Sequence, residues 1–344
     1  MEAAGYALPP IINGCWQLSA GHRSDTPERD AAIDGLVRRA QAGLTAFDGA
    51  DIYTGVEEML GEVRDRYVAA GGAREDIRTH TKFVPDRDAL TRVDRDYVTR
   101  IIDRSLSRLR VERLDLIQFH WWEYGTPGAV DAAGHLVDLQ NAGKIGLIGT
   151  TNFNTIELAK LLDAGIPIVS NQVQYSLLDR RPEPSMVDLC RATGVRLFCY
   201  GSLAGGFLSD RYLGAKPPDA FGNRSLVKYR LIIDEFGGWQ EYQRLLSVAA
   251  EVAAKHGVGI ANVAARYAID RPCVAAAIVG VRGSDHLEET LATLSFALDA
   301  DDQARLDAAA PSRVPGDCFD LERVPDGPHQ RIMKMNLNDK RSLP

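Results

Sequence analysis

Short apolar runs that end on a polar residue recur along the chain, each followed by a stretch whose apolar positions repeat with helical spacing. The first run is 8–16, Leu-Pro-Pro-Ile-Ile-Asn-Gly-Cys-Trp. A helix then follows, with Thr26 as its cap, Pro27 in its first turn, and Ile33, Leu36, Val37 and Ala40 on one face. The second run is 45–48, ending on Asp48, and a turn delivers Tyr53 before a helix carrying Val56, Leu60, Val63 and Tyr67. The pattern predicts further strands over 77–82, 114–120, 145–149, 166–172 and 195–200, separated by helical stretches. After the seventh strand the period breaks into a Gly-rich, Pro-containing insertion, 205–238, too long for an ordinary connection. Helices over 240–255 and 260–270, an eighth strand over 275–279 and a last helix over 286–294 complete the pattern.

Eight short β-runs alternating with helices predict an α/β fold, a single (β/α)8 TIM barrel. A doubly wound open sheet is the competitor, but no Gly-x-Gly-x-x-Gly follows the first strand. The barrel is one domain over 1–310, with 205–238 as an inserted loop. Residues 311–344 form an irregular tail, which wraps the body or stays mobile.

Composition narrows the function. At 344 residues and 45% hydrophobic, the chain can bury a large core. Its net charge of −7 comes from interspersed acids and bases, without the basic block that nucleic-acid binding needs. No apolar stretch is long enough to span a membrane, and the N-terminus does not read as a signal peptide. The five cysteines lack zinc or CxxC spacing, so free thiols, a cytoplasmic location and no metal are expected. No assembly partner is read from the pattern.

In such a barrel the chemistry sits at the C-terminal mouths of the strands. Trp16, Asp48, Tyr53, Lys82, His120, Thr151, Asn152, Gln172, Tyr200 and Arg282 stand there. A buried Lys82 demands a carboxylate, which Asp48 on the neighbouring strand can supply. A cation near Tyr53 is expected to lower its pKa and make it a usable general acid, with His120 orienting a substrate oxygen. This suits protonation of a carbonyl oxygen while a cofactor delivers hydride, which no side chain can supply. Thr151, Asn152 and Gln172 could hold a carboxamide, Tyr200 could stack on a nicotinamide, and the 280–286 turn with Arg282 could take a phosphate. A Schiff-base aldolase using Lys82 and a metal hydrolase using Asp48, His80 and His120 are the competing enzyme readings.

These residues resemble the aldo-keto reductase family over about residues 8–310. The set Asp48, Tyr53, Lys82, His120 is similar to that family's catalytic tetrad in order and spacing. The stretch from Phe47 to Gly61 resembles its first signature. Gly146-Leu-Ile-Gly-Thr-Thr-Asn-Phe-Asn154 with Asn171-Gln172 resembles its nicotinamide segment, and 279–290 its adenosine-phosphate segment. The resemblance implies Tyr53 as proton donor, Lys82 and Asp48 tuning it, and His120 placing the carbonyl. It implies NADPH, with NADH possible, held by Trp16, Thr151, Asn152, Gln172, Tyr200, Gly201, Ser202, Leu203, Gly280, Arg282, His286, Glu289 and Thr290. Trp16, Trp121 and Trp122, with Tyr124, are expected to line a substrate pocket for a small-molecule carbonyl or alcohol. The insertion resembles the family's cofactor-covering loop, and the tail resembles the segment that borders the substrate pocket. His286, Thr290 and Gly201-Ser202 depart from the family's usual residues. The function implied is NAD(P)H-dependent reduction of an aldehyde or ketone. Oxidation of a sugar or alcohol in the reverse direction and a nicotinamide-binding sensor subunit are the alternatives.

Overall fold

The computed structural model describes residues 6–20, 28–218, 220–221, 224–282, 286–311 and 313–338. Eight parallel strands close a barrel in chain order: β1 (Ile11–Gly14), β2 (Ala46–Asp48), β3 (Arg78–Phe83), β4 (Leu114–Phe119), β5 (Ile145–Thr151), β6 (Ile168–Gln174), β7 (Arg196–Tyr200) and β8 (Val274–Gly280). Pairing of β1 with both β2 and β8 completes the ring, so every strand has two neighbours.

Alternation along the strands decides what faces the barrel axis. In β2, Ala46 joins the interior cluster with Ile12, Leu116, Phe198, Ala276 and Ile278, while Phe47 joins the shell under the helices. Asp48, next in line, is therefore on the inward side. In β4, Leu116 packs inward and Ile117 and Phe119 outward, which turns Gln118 and His120 to the inside. Register sets Asp48 beside His80 and Lys82 beside Gln118. Below them His80 stacks on Phe198 at 5.1 Å and meets the Tyr6 hydroxyl at 3.2 Å, closing the barrel floor.

Helices α1 (Arg29–Gln41), α2 (Val56–Ala69), α3 (Arg95–Leu109), α4 (Ala129–Asn141), α5 (Thr155–Asp163) and α6 (Met186–Thr193) cover the outside. A Cβ on Gly61 of α2 would lie 2.8 Å from the Arg108 carbonyl, so glycine is what lets α2 and α3 approach this closely. Thr26 and Pro27, expected to start α1, lie outside the described residues.

Three details differ from the pattern-based expectation. β6 runs to Gln174 instead of 172, because pairing of Gln174 with Tyr200 carries the ladder two residues further. The 205–238 insertion contains a helix, α7 (Arg224–Phe236), which buries Tyr229, Ile232, Ile233 and Phe236. With α8 (Gly238–His256) and α9 (Ile260–Ile269), it builds a second apolar cluster beside the barrel. After β8, α10 (Leu287–Ala292) is followed by α11 (Ala300–Ala309), a helix the apolar pattern hides because its buried positions are few; its capping box, Asp299 with Asp302, is the signal that marks it.

Of the two alternatives open to the tail, it takes the first and wraps the body. Over 313–338 it crosses the barrel mouth and is held throughout. Asp317 accepts from the Thr155 N–H at 2.7 Å, and a short helix, α12 (Pro328–Arg331), lies against α7. Asp86 accepts the N–H groups of Leu337 and Asn338, and Asn338 donates to Asp51 at 2.8 Å.

Candidate active site

The strand mouths converge on one cavity of about 920 Å³, bounded by the barrel, the insertion and the tail. Lys82 is its centre. Its Nζ donates to Asp48 Oδ2 at 2.6 Å and to the Gly49 carbonyl at 2.7 Å, and it lies 4.9 Å from the centroid of the Tyr53 ring. At that distance the ammonium and the Tyr53 phenol act on each other's protonation. The turn that carries Tyr53 is closed by its N–H on the Ala50 carbonyl and leads into α2 through Gly55, whose φ of 79° suits glycine. Trp16 packs on the Tyr53 ring at 4.6 Å.

Burial works against the Lys82 ammonium, yet Asp48 and Tyr53 together hold its pKa above the ordinary value. For Tyr53 the expected lowering is not what the structure shows. Burial raises its phenol, and Lys82 offsets this only in part because the Asp48 carboxylate pushes the same way as burial. Tyr53 therefore holds its proton across the neutral range. That is the state a proton donor needs, and Lys82 stands where the resulting phenolate would form.

A residue the sequence reading overlooked completes this group. Gln118 Nε2 donates to Asp48 Oδ1 at 2.9 Å, and Gln172 Nε2 donates to the same oxygen at 2.7 Å and to Gln118 Oε1 at 2.8 Å. All of Asp48's directed partners are thus fixed, and the amide hydrogens of Gln172 are spent on Asp48 and Gln118. A polar residue inside the apolar run Leu114–Phe119 is the signal that could have found Gln118.

His120 lies under Trp122 and Phe319, both edge-on, at 4.3 and 5.7 Å between ring centroids. Its Nδ1 lies 3.0 Å from the Thr151 carbonyl, which can only accept, so Nδ1 carries the hydrogen. Burial first, and Arg323 second, lower its pKa to about 3, so the ring is neutral. Nε2 is left as a buried acceptor with no partner among the described residues.

The other expected residues sort as follows. Trp16, Trp122, Thr151, Asn152, Gln172, Tyr200, Gly201, Ser202, Leu203, Gly280, Arg282, His286, Glu289 and Thr290 all line the cavity. The Tyr200 hydroxyl donates to Asn152 Oδ1 at 2.9 Å and receives Lys228 Nζ at 3.2 Å. Gly201 has φ 71°, and a Cβ there would come within 2.7 Å of the Tyr229 hydroxyl, which is why glycine stands after Tyr200 in this chain. Arg282 Nε donates to Gln17 Oε1 at 2.8 Å, and Thr290 accepts from the buried Arg39 at 3.0 Å. Trp121 is a correction. It is fully buried in the outer shell, packed on Phe119, with its indole N–H on the Thr126 carbonyl, and it does not line the cavity. Alternation explains this: one residue past inward-facing His120, Trp121 faces the helices. Tyr124 also stays outside the cavity, with its ring under Arg323 at 3.9 Å. In their place the tail supplies Phe319, Ile332, Met333 and Leu337. Asp48, His80 and His120 do not form a metal set; His80 is on the floor with Tyr6, and among the described residues no group of three His, Cys, Asp or Glu side chains is placed to hold an ion.

A nicotinamide dinucleotide fits these residues. The cavity runs from Lys82 and Tyr53 to the β8 mouth at Arg282 and His286, and the buried Ser202 hydroxyl and His120 Nε2 are polar atoms along its wall without partners among the described residues.

Residues 10–311 match the family model described as the Aldo/keto reductase family. The chain is 30% identical to the chloroplastic pyridoxal reductase of Arabidopsis thaliana over 321 residues, 88% of this chain and 84% of that protein. It is 32% identical to the aldo-keto reductase yakc [NADP(+)] of Schizosaccharomyces pombe over 226 residues, 62% of this chain and 63% of that one. It is also 30% identical to flagellar radial spoke protein 5 of Chlamydomonas reinhardtii over 67% of this chain, and the match spans only half of that longer protein. Among solved structures, a glycerol dehydrogenase of Gluconobacter oxydans superposes with a TM-score of 0.73 at 22% identity, covering 90% of this chain and 93% of that one. A thermostable aldo-keto reductase bound to epalrestat gives 0.70 at 24% identity, covering 89% and 96%.

Proposed function

The chain belongs to the aldo/keto reductase family, and from that premise we propose that it is an NADPH-dependent oxidoreductase that reduces an aldehyde or ketone to an alcohol, with Tyr53 as the general acid. The observation that carries this reading is Lys82, held by Asp48 and Gly49 with its ammonium 4.9 Å from the centroid of the Tyr53 ring. A nicotinamide dinucleotide, when bound, supplies the hydride that the carbonyl carbon must receive. The chain's own residues handle the proton and the geometry. Tyr53 gives its phenolic proton to the substrate oxygen, and the charge left on its oxygen faces the Lys82 ammonium, already in place and needing no reorganisation. Asp48 keeps that ammonium charged, and Gln118 and Gln172 keep Asp48 turned toward it. Trp16, Trp122 and Phe319 surround the reacting region with apolar surface and exclude water.

NADPH is favoured over NADH by Arg282 and Arg39 at the far end of the cavity, where a 2′-phosphate would lie. A specific observation supports the reverse direction as a second reading. With its hydrogen on Nδ1, His120 offers Nε2 to a hydroxyl rather than a donor to a carbonyl, so an alcohol is also accommodated.

Cofactor oxidation with a panel of aldehydes tests the proposal. Tyr53→Phe keeps the ring packing on Trp16 but removes the proton, and its turnover is expected to fall by about 10²- to 10⁴-fold. Unchanged turnover in Tyr53→Phe would remove Tyr53 from the chemistry.

A further inference from the structure

Two consecutive charged residues reach the site from the tail, beyond the family match that ends at residue 311. Glu322 is buried, accepts from Arg181 at 3.0 Å and pairs with Lys228 at 3.5 Å, on the Tyr200 side of the cavity. Arg323 turns the opposite way. Its Nη2 donates to the Trp121 carbonyl at 2.8 Å, its Nε to the Trp122 carbonyl at 3.2 Å, and its Nη1 to the Asn152 carbonyl at 3.0 Å. The first two carbonyls belong to the residues directly after His120. The third belongs to the residue directly after Thr151, whose own carbonyl receives the His120 Nδ1–H. The guanidinium is sandwiched between Tyr124 at 3.9 Å and Phe319 at 4.9 Å, and Phe319 in turn meets the His120 ring.

We propose that Arg323 is a positioning residue for His120: from the tail, it locks the ends of β4 and β5 in one relative placement and so fixes the imidazole that spans them. This rests on the reading of His120 as the group that faces the substrate. The guanidinium suits the task because its donors lie in one rigid plane and can reach three carbonyls from two strands at once. Those carbonyls lie past the ends of the strand ladder, and the tail supplies a donor to each of them, the Asn152 carbonyl also taking the Tyr124 hydroxyl at 3.3 Å. A lysine could satisfy the charge but not the fork.

The charge has a second consequence. The ring is surrounded by Trp122, Phe319 and the Thr151 carbonyl, and Arg323 is the charged group that acts on it. The neighbours Glu322 and Asp320 act on Arg323 itself, while burial is the main force against its own charge. A cation on this side adds to burial in disfavouring a second proton on His120, and the Thr151 carbonyl, at the strand end that Arg323 holds, keeps the single hydrogen on Nδ1. On this account the tail does more than wall the pocket; it holds together the two strand ends between which the His120–Thr151 hydrogen bond forms.

Arg323→Met and Arg323→Lys, compared with the unaltered protein, test the assignment. Each variant is first checked for its fold by circular dichroism and thermal unfolding. Two quantities are then read: steady-state kcat and KM with NADPH and an aldehyde, and the ¹⁵N imidazole shifts of His120 in the ligand-free protein at neutral pH. In Arg323→Met, kcat is expected to drop on the order of 10- to 100-fold, because the imidazole loses its placement. The imidazole shifts should move from the single Nδ1–H tautomer toward a mixture, and added guanidinium should restore part of kcat. Arg323→Lys should fall less, with the tautomer also mixed. A folded Arg323→Met with a single tautomer overturns the proposal, whatever its kcat. If that variant does not fold, Arg323→Lys carries the test, and an unchanged tautomer in it is equally decisive. The imidazole signature requires no turnover, so it judges Arg323 even if the unaltered protein proves not to be a reductase.

Discussion

At the scale of single residues, the site is a chain of commitments that begins at Asp48. Each of its oxygens is directed, one to Lys82 and one to the amides of Gln118 and Gln172. Lys82 is then left with one donor for Tyr53. Gln118 touches neither substrate nor cofactor in this arrangement, so its effect passes through Asp48. Gln118→Leu is expected to lower kcat by about tenfold, since it frees Asp48 Oδ1 from one of its two donors and loosens the carboxylate. Steady-state kinetics at saturating cofactor checks this, with the KM for the cofactor expected to hold if Gln172 stays in place. The two titrating groups of the site were only half legible. That Tyr53 and Lys82 are coupled follows from their positions at neighbouring mouths, but whether the phenol rises or falls depends on the depth of burial, and here burial prevails.

At the scale of elements, the informative contact is between the tail and the turn after β2. Asp51 is fully buried, accepts from the Val84 N–H and from Asn338, and leaves Oδ1 without a partner among the described residues. Burial, joined by the neighbouring Glu57, raises its carboxyl to about 7. The folded state therefore keeps a proton on Asp51 at pH values where the unfolded chain, titrating near ~4, has lost it. Folding stability from this group falls as pH rises from about 4 to about 7 and is level above that, with a total loss on the order of a few kcal/mol. Asp51→Asn keeps an acceptor for Val84 and Asn338 and never ionises. It is expected to be more stable than the unaltered protein at pH 8, with the difference closing toward pH 4. Urea unfolding at several pH values measures it, and parallel pH dependence in both proteins would count against the burial argument. Gly201 is the other element-scale feature: the left-handed turn after β7 and the closeness of Tyr229 on α7 together account for the glycine, and neither is visible until the insertion is folded.

At the scale of the whole molecule, the barrel, the insertion and the tail enclose one cavity from three sides. A ligand that bridges these parts binds only the folded protein and must stabilise it. NADPH at a hundred times its dissociation constant is expected to add about 2.7 kcal/mol to the unfolding free energy, seen as a raised Tm; NADH at the same concentration should add less if Arg282 and Arg39 meet a 2′-phosphate. Equal shifts for the two cofactors would withdraw that role from the two arginines.

The sequence by itself determined the barrel and the ring of residues at its mouth. Two-residue alternation in the strands, helical spacing between them, and polar residues at the ends of apolar runs are local properties, and a closed parallel barrel converts them directly into a convergent site. Asp48, Tyr53, Lys82 and His120 were legible for that reason. Tertiary structure alone decided the rest. It placed Trp121 in the shell rather than the pocket, because one step along a strand reverses the side chain's face. It found a helix in the insertion and brought Phe319, Glu322 and Arg323 from the far end of the chain onto the mouths of β4, β5 and β7. Those contacts join residues separated by up to about two hundred positions, and no local pattern encodes them, because the carbonyls and aromatic faces that hold the tail exist only once the barrel has closed.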